Sequence, residues 1–182
     1  MKEKVLEEFR IFEGKVIDVC KYRVELPNGV ESTREVVRHP GAAAVLPYAN
    51  GKVFLVRQYR FPINEELLEA PAGKLDVVGE APEECARREL EEETGFKANT
   101  FMYLGYIYTT PGFSDEIIHL YLATELEEKK SQNLDEDEII DVVEMDWEEF
   151  YRACLEGKIV DSKTIALALR ASKIIGTLHS DQ

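Results

Sequence analysis

Between Pro82 and Gly95 the chain places six glutamates, Glu83, Glu84, Glu89, Glu91, Glu92 and Glu93, against two arginines, Arg87 and Arg88. Pro82 suits a first helical position and Gly95 the residue just past the end, so the segment reads as one short helix. At about 100° per residue, Glu89, Glu92 and Glu93 share one face, Ala86 and Leu90 turn toward a core, and Glu83, Glu84, Arg87 and Glu91 look outward. Three carboxylates on one stripe, near the negative end of the helix dipole, are poorly placed without a positive partner. Glu84 with Arg88, or Glu83 with Arg87, are the i,i+4 pairs of an ordinary solvated helix. Two arginines cannot neutralise six glutamates. A bound hard cation with oxygen ligands (magnesium, manganese or calcium) could.

The wider pattern is Gly73, Glu80, Arg88-Glu89-Leu90, Glu92-Glu93 and Gly95-Phe96. It resembles the Nudix box, the signature loop and helix of hydrolases that cleave nucleoside diphosphates linked to another group. The box usually has five residues between its first glycine and first glutamate, whereas Lys74 to Gly79 makes six, the extra one falling in Val77-Val78. A loop absorbs one residue more easily than a helix, so the helical positions carry over. The resemblance implies a Nudix-type α/β/α sandwich with a mixed β-sheet and a divalent cofactor, Mg2+ or Mn2+. It makes Glu89, Glu92 and Glu93 metal ligands, together with the Ala72 carbonyl. Gly73, Glu80, Arg88 and Gly95 become structural positions of the motif, with Arg88 pairing to Glu80 to hold the loop against the helix.

Outside the box, Arg38-His39-Pro40-Gly41-Ala42, Val56-Arg57-Gln58-Tyr59-Arg60, Leu68-Glu69-Ala70-Pro71-Ala72-Gly73-Lys74, Pro111 with Gly112-Phe113-Ser114-Asp115-Glu116, and Asp135-Glu136-Asp137-Glu138 are similar to the ADP-ribose pyrophosphatase branch. That resemblance implies cleavage of ADP-ribose to AMP and ribose 5-phosphate. Arg60 would contact the diphosphate or terminal ribose, and Gly112 and Glu116 would lie in a substrate loop. The base activating water would be Glu136 or Glu138, with Glu138 preferred because it abuts a strand, and Glu92 would assist. The branch also implies an intertwined homodimer whose N-terminal ribbon brings Val16 and Arg34 beside the adenine. Two other readings stand beside it. The box is indifferent to the sugar, so another nucleoside diphosphate sugar such as a GDP-hexose is an alternative substrate. A catalytically silent ADP-ribose-binding module is a second, although three crowded carboxylates argue against silence.

The elements that must position these residues follow from period and punctuation. Residues 1–10 carry no strong signal and suggest a frayed end or short helix. Ile11 to Leu26 and Val30 to Arg38 alternate with period two around Pro27-Asn28-Gly29, an antiparallel ribbon of residues 1–38 preceding a catalytic domain at 39–182. Such a ribbon is too small to stand alone. Ala42 to Tyr48 and Lys52 to Tyr59 flank an Asn50-Gly51 turn. Phe101 to Thr109, Glu116 to Thr124 and Ile139 to Met145 read as further strands. Ser131 to Glu138 is acidic enough to suggest a mobile exposed loop. Asp146 with Glu149 reads as a capping box for a helix through Leu155, closed by Gly157, and a last helix should run from Ser162 to Ile175, ending at Gly176.

Composition narrows the class. The chain has 182 residues, 45% hydrophobic, enough for one core. A formal charge of −14 argues against nucleic acid or anionic membrane as partner. Cys20, Cys85 and Cys154 are few and widely spaced, and no secretory signal opens the chain, which suggests a reduced, cytoplasmic protein.

Overall fold

The computed structural model describes residues 2–127, 131–134 and 139–180, the side chains of 178–180 excepted. Two compact units emerge. One comprises residues 1–41 with 108–117, the other residues 42–107 with 118–182.

In the first unit, β1 (Lys4–Glu13), β2 (Asp18–Glu25) and β3 (Glu31–Arg38) form an antiparallel sheet in the order β1-β2-β3. The hairpin at Pro27-Asn28-Gly29 closes as expected, with Gly29 at φ 81° and its N–H donating to the Leu26 carbonyl at 2.9 Å. The expectation of a frayed end or short helix over residues 1–10 is corrected, because β1 begins at Lys4, and the ribbon has three strands rather than two. Register shifts between Val5 and Glu7 and between Arg10 and Phe12 explain the miss. Each bulge puts an extra residue into the strand and resets the in/out alternation, so period two disappears from the sequence while the pairing survives. Cys20, Tyr22 and Val24 make the buried side of this sheet, against Leu26 and Val36.

The second unit is built on a mixed sheet ordered β10-β5-β4-β9-β8, from β4 (Ala42–Ala49), β5 (Lys52–Arg60), β8 (Ala98–Tyr108), β9 (Ile117–Leu126) and β10 (Ile140–Asp146). Two short strands, β6 (Glu65–Glu69) and β7 (Ala72–Lys74), pair antiparallel with β5 and β4 respectively. β4 runs parallel to β9 and antiparallel to β7, so the sheet is mixed. Asn50 and Gly51, at φ 53° and 78°, make the tight turn between β4 and β5.

The central strand β4 is buried on both faces, and its period-two geometry serves two cores. Ala42, Ala44, Leu46 and Tyr48 pack with Phe150, Leu167 and Ile175 from α2 (Trp147–Leu155) and α3 (Ser162–Ser180). Ala43 and Val45 pack with Cys85, Ala86 and Leu90 on the other face. The helix carrying the carboxylates thus lies on one side of the sheet and the two C-terminal helices on the other, the α/β/α sandwich expected. Full burial of a side chain such as Leu90 contributes about 2 kcal/mol.

Two details at the C-terminal helices differ from expectation. Asp146 stands at the N-cap of α2 but makes no side-chain cap. The Trp147 N–H, at the first helical position, donates to the Gly51 carbonyl at 2.9 Å, so the β4–β5 turn ties down the start of the helix by another route. α3 does not stop at Gly176 but continues to Ser180, since one glycine in a helix costs only about 1 kcal/mol.

Candidate active site

The carboxylate segment begins as α1 (Pro82–Glu89), and Glu84 returns to accept from the Ala81 N–H at 3.0 Å. It then widens into a π-helical turn over Leu90–Thr94, which corrects the expectation of one uniform helix. Such turns insert a residue into the helical repeat, and no simple sequence signal marks them. Thr94, fully buried, donates its hydroxyl to the Leu90 carbonyl at 2.5 Å and accepts from the Phe96 N–H at 3.2 Å. Gly95 closes the turn in the left-handed region at φ 76°, its N–H on the Glu91 carbonyl at 2.9 Å. Leu90 and Ala86 face the core, as their spacing requires.

The crowded charges find more local partners than the sequence suggested. Arg88 donates to Glu80 (2.9 and 3.2 Å), to Glu89 (2.7 Å) and to Glu92 (2.9 Å). The Glu80 bond holds that carboxyl below its ordinary range, and the same ring of acceptors raises the Arg88 guanidinium further. Arg87 pairs with Glu83 as anticipated, and Lys97 takes Glu91 at 3.1 Å. The Glu84–Arg88 alternative is not formed, because Glu84 is used at the N-cap and Arg88 reaches back to Glu80. The additional residue in the box points into water: Val78 is fully exposed, a turn from Val77 to Glu80 closes at 3.1 Å, and Glu80 still meets Arg88.

Glu93 is 3% exposed and accepts from the Ala72 N–H at 3.2 Å, so β7 does emerge against the acidic stripe. Gly73 explains how closely. A Cβ there would stand 1.8 Å from Glu89 Oε1 and 2.0 Å from its Cδ, so the absence of a side chain lets the Glu89 carboxylate lie against the strand. Cys85, wholly buried, contacts the Gly73 and Lys74 carbonyls at 3.7 and 3.5 Å, and burial pushes its thiol up to about 12, which leaves it protonated and inert. At the other end of the stripe, Gln132 donates to the Glu93 carbonyl at 2.5 Å and the Asn133 N–H donates to the Glu92 carbonyl at 3.0 Å. Glu136 and Glu138 lie outside the described residues.

Arg60, at the end of β5, is held by Glu69 through Nε and Nη2, both at 2.7 Å. Glu69 stands in the Leu68–Lys74 stretch of the resemblance but was given no role of its own; its local signal is a glutamate beside the apolar Leu67, Leu68 and Ala70. It is 1% exposed, and Lys163 from α3 donates to the same Oε2. Burial pushes the Glu69 carboxyl up, but Arg60 and Lys163 outweigh it and hold the group below its ordinary value.

The other expected substrate contacts belong to the first unit. Glu116 accepts from Thr109 Oγ1 at 2.5 Å and stands 3.6 Å from His39 Nδ1. Gly112 is exposed at the crown of a turn, where Phe113 and Ser114 both donate to the Thr110 carbonyl, at 3.1 and 2.9 Å. Arg34 pairs with Glu3 at 2.5 Å, and Val16, 52% exposed, sits in the connection between β1 and β2.

As donors, three carboxylates and a neighbouring backbone carbonyl suit a hard divalent ion. Among the described residues, however, no group of three or more His, Cys, Asp or Glu is gathered closely enough to hold one. Arg88 Nη1 lies within hydrogen-bond distance of both Glu89 and Glu92. The donor chemistry fits a cation, and one oxygen of each of those two carboxylates is bonded to Arg88 here.

Residues 37–168 match the model of the NUDIX domain. The chain belongs to the Nudix family. It is 47% identical to the ADP-ribose pyrophosphatase of Bacillus subtilis over 168 residues, 90% of this chain and 89% of that protein. It is 46% identical to the methanol dehydrogenase activator of Bacillus methanolicus over 166 residues, again 90% and 89%. A crystal structure of an ADP compounds hydrolase superposes with a TM-score of 0.84 at 21% identity, covering 98% of this chain and 96% of that one, which shows a shared fold. Nudix hydrolases generally depend on divalent metal, the requirement for which the box carboxylates are suited. No helix among the described residues is long and apolar enough to cross a membrane.

Gly73→Ala tests the contact on which the Nudix box closes. The added methyl displaces the end of a flexible side chain rather than backbone, so the melting temperature should change little. Binding of Mn2+, followed by calorimetry, should weaken about tenfold or more as Glu89 loses its seat. Unchanged affinity would show that the seat of Glu89 does not matter to the ion.

Proposed function

We propose that this Nudix protein hydrolyses the diphosphate of ADP-ribose to AMP and ribose 5-phosphate. The observation that carries the reading is the intact box: Glu89 seated on Gly73, Glu93 held by the Ala72 amide, and Arg88 binding Glu80, Glu89 and Glu92. Its likeness to an ADP-ribose pyrophosphatase through 90% of the chain supports the choice of substrate.

Glu89, Glu92, Glu93 and the Ala72 carbonyl would hold Mg2+, with Mn2+ as a substitute. When bound, the cation screens the diphosphate, polarises the attacked phosphorus and lowers the pKa of a coordinated water. The chain's own groups do the rest. Arg60 offers a planar guanidinium to the diphosphate or terminal ribose, held in orientation by Glu69. Glu138, in preference to Glu136, takes the proton from the attacking water, with Glu92 assisting. The docking of Gln132 and Asn133 on the carbonyls of Glu93 and Glu92 supports this, since it ties the start of the acidic segment to the box. Gly112 and Glu116 belong to the substrate loop.

Residues 1–38 serve as a dimerisation element and residues 39–182 as the catalytic domain. Support comes from β1, which exposes Val5, Phe9, Ile11 and Phe12, each at least 48% accessible, on an edge strand. Apolar side chains gathered on an unpaired edge suit burial against a second copy. In a homodimer, Val16 and Arg34 would approach the adenine of the partner's substrate. The unpaired thiols of Cys20, Cys85 and Cys154 support a reducing, cytoplasmic setting.

A panel of nucleoside diphosphate sugars, with products identified and magnesium supplied or withheld, tests the central claim. ADP-ribose should be cleaved best; preference for a GDP-hexose would move the substrate, and tight binding without turnover would make the protein a binder. Turnover should need added magnesium or manganese, and Glu93→Gln should lose most of it while remaining folded. Full activity in excess chelator would end the metal argument. Added metal should also raise the melting temperature, as a ligand selective for the native state must.

Glu138→Gln should depress kcat strongly with metal and substrate affinity nearly unchanged, and Glu136→Gln should do less. The reverse order would assign the base to Glu136.

Removing residues 1–38 and measuring mass in solution with KM tests the ribbon. A truncated chain that remains dimeric and binds substrate normally would sink the exchange.

A further inference from the structure

The start of α3 is wired to the strand that carries the site. Glu69 receives Arg60 on both carboxylate oxygens and Lys163 on Oε2, and both Glu69 and Lys163 are buried. Lys163 is held in turn by Asp161 at 3.1 Å. Asp161 caps α3, accepting from the Thr164 N–H at 3.0 Å and its hydroxyl at 2.6 Å. Thr164 Oγ1 accepts from the Ala70 N–H at 2.7 Å, two residues before Ala72. Arg60 and Lys163 balance Glu69 and Asp161, and every member named here has a partner.

Stability alone is a weak reason for such a cluster. Removing two or more charges from water costs several kcal/mol per ion, and apolar residues of the same volume often serve a core as well or better. What the network supplies is orientation. Two of the three guanidinium nitrogens of Arg60 are fixed while the side chain stays 41% exposed. An arginine already immobilised loses less entropy when it grips an anion.

We propose that Lys163 is a positioning residue for Arg60, acting through Glu69. It fixes the buried carboxylate from α3, so that the carboxylate can fix the guanidinium. The proposal rests on the assignment of Arg60 to the substrate diphosphate or ribose made above.

The experiment is a double-mutant cycle on the full chain with ADP-ribose and magnesium. Lys163→Met should raise KM roughly tenfold, about 1.4 kcal/mol of lost binding, with kcat and Mn2+ affinity little changed. Arg60→Lys should raise KM further, and Lys163→Met should then add nothing, because the fork it aligns is gone. Full additivity, or a normal KM in Lys163→Met beside a raised one in Arg60→Lys, would overturn the positioning role. A normal KM in Arg60→Lys would instead remove Arg60 from the substrate, and the proposal with it. Should Lys163→Met fail to fold, Glu69→Gln combined with Lys163→Met removes one charge of each sign. That pair should show the same rise in KM, and a normal KM there would overturn the proposal equally.

Discussion

The arrangement depends on one close approach, a helical carboxylate laid directly against a strand backbone at Gly73. Any other residue would occupy the space that Glu89 fills. β7 is pinned to β4 by the register Ala43↔Gly73, so its position is set by the most buried strand of the sheet. α1 and the π-helical turn are pinned to the same strand through Ala86 and Leu90, packed on Ala43 and Val45. Both partners of the contact are therefore referenced to β4. The loop between them can accept an exposed Val78 without altering where its ends meet.

Charge imposes the second constraint. Glu89, Glu92 and Glu93 stand close to the negative end of a helix, and Glu93 is nearly excluded from water. Arg88 offsets part of this with four hydrogen bonds to three carboxylates, more than the three donors of a lysine could make. One side chain thus joins the loop to the helix through Glu80 and acts as counter-charge to the site.

What the sequence made legible follows short-range physics. The Asn50-Gly51 and Pro27-Asn28-Gly29 turns, the strand over Ala42 to Tyr48, and the helix from Pro82 all rest on local conformational preference or a fixed period. The misses rest on choices that one segment makes according to another. β1 lost its alternation to two bulges that only β2 defines. The cap expected from Asp146 does not form, and the N–H of the first helical residue goes to the Gly51 carbonyl of a remote hairpin. The π-helical turn depends on a buried Thr94 whose hydroxyl serves both the Leu90 carbonyl and the Phe96 amide. Glu69 and Lys163 are 94 residues apart, and nothing local to either announces the other.

That last pair bears on how a sandwich of this kind supports chemistry on one face with elements from the other. α1 and the C-terminal helices pack on opposite sides of the sheet, so α3 has no direct place beside the carboxylate stripe. Its influence passes through the end of β6, where Glu69 and Ala70 are both bonded to residues of α3. From there the chain needs only Pro71, whose carbonyl accepts from the Val45 N–H at 2.9 Å, to reach Ala72 and Glu93. Each residue from Glu69 to Ala72 has a backbone or side-chain group bonded outside its own strand, to α3, β4 or the π-helical turn. Such a segment cannot shift by a fraction of an ångström without disturbing helix, strand and carboxylate together. Residues that never touch a reacting atom can thereby govern where the reacting groups stand.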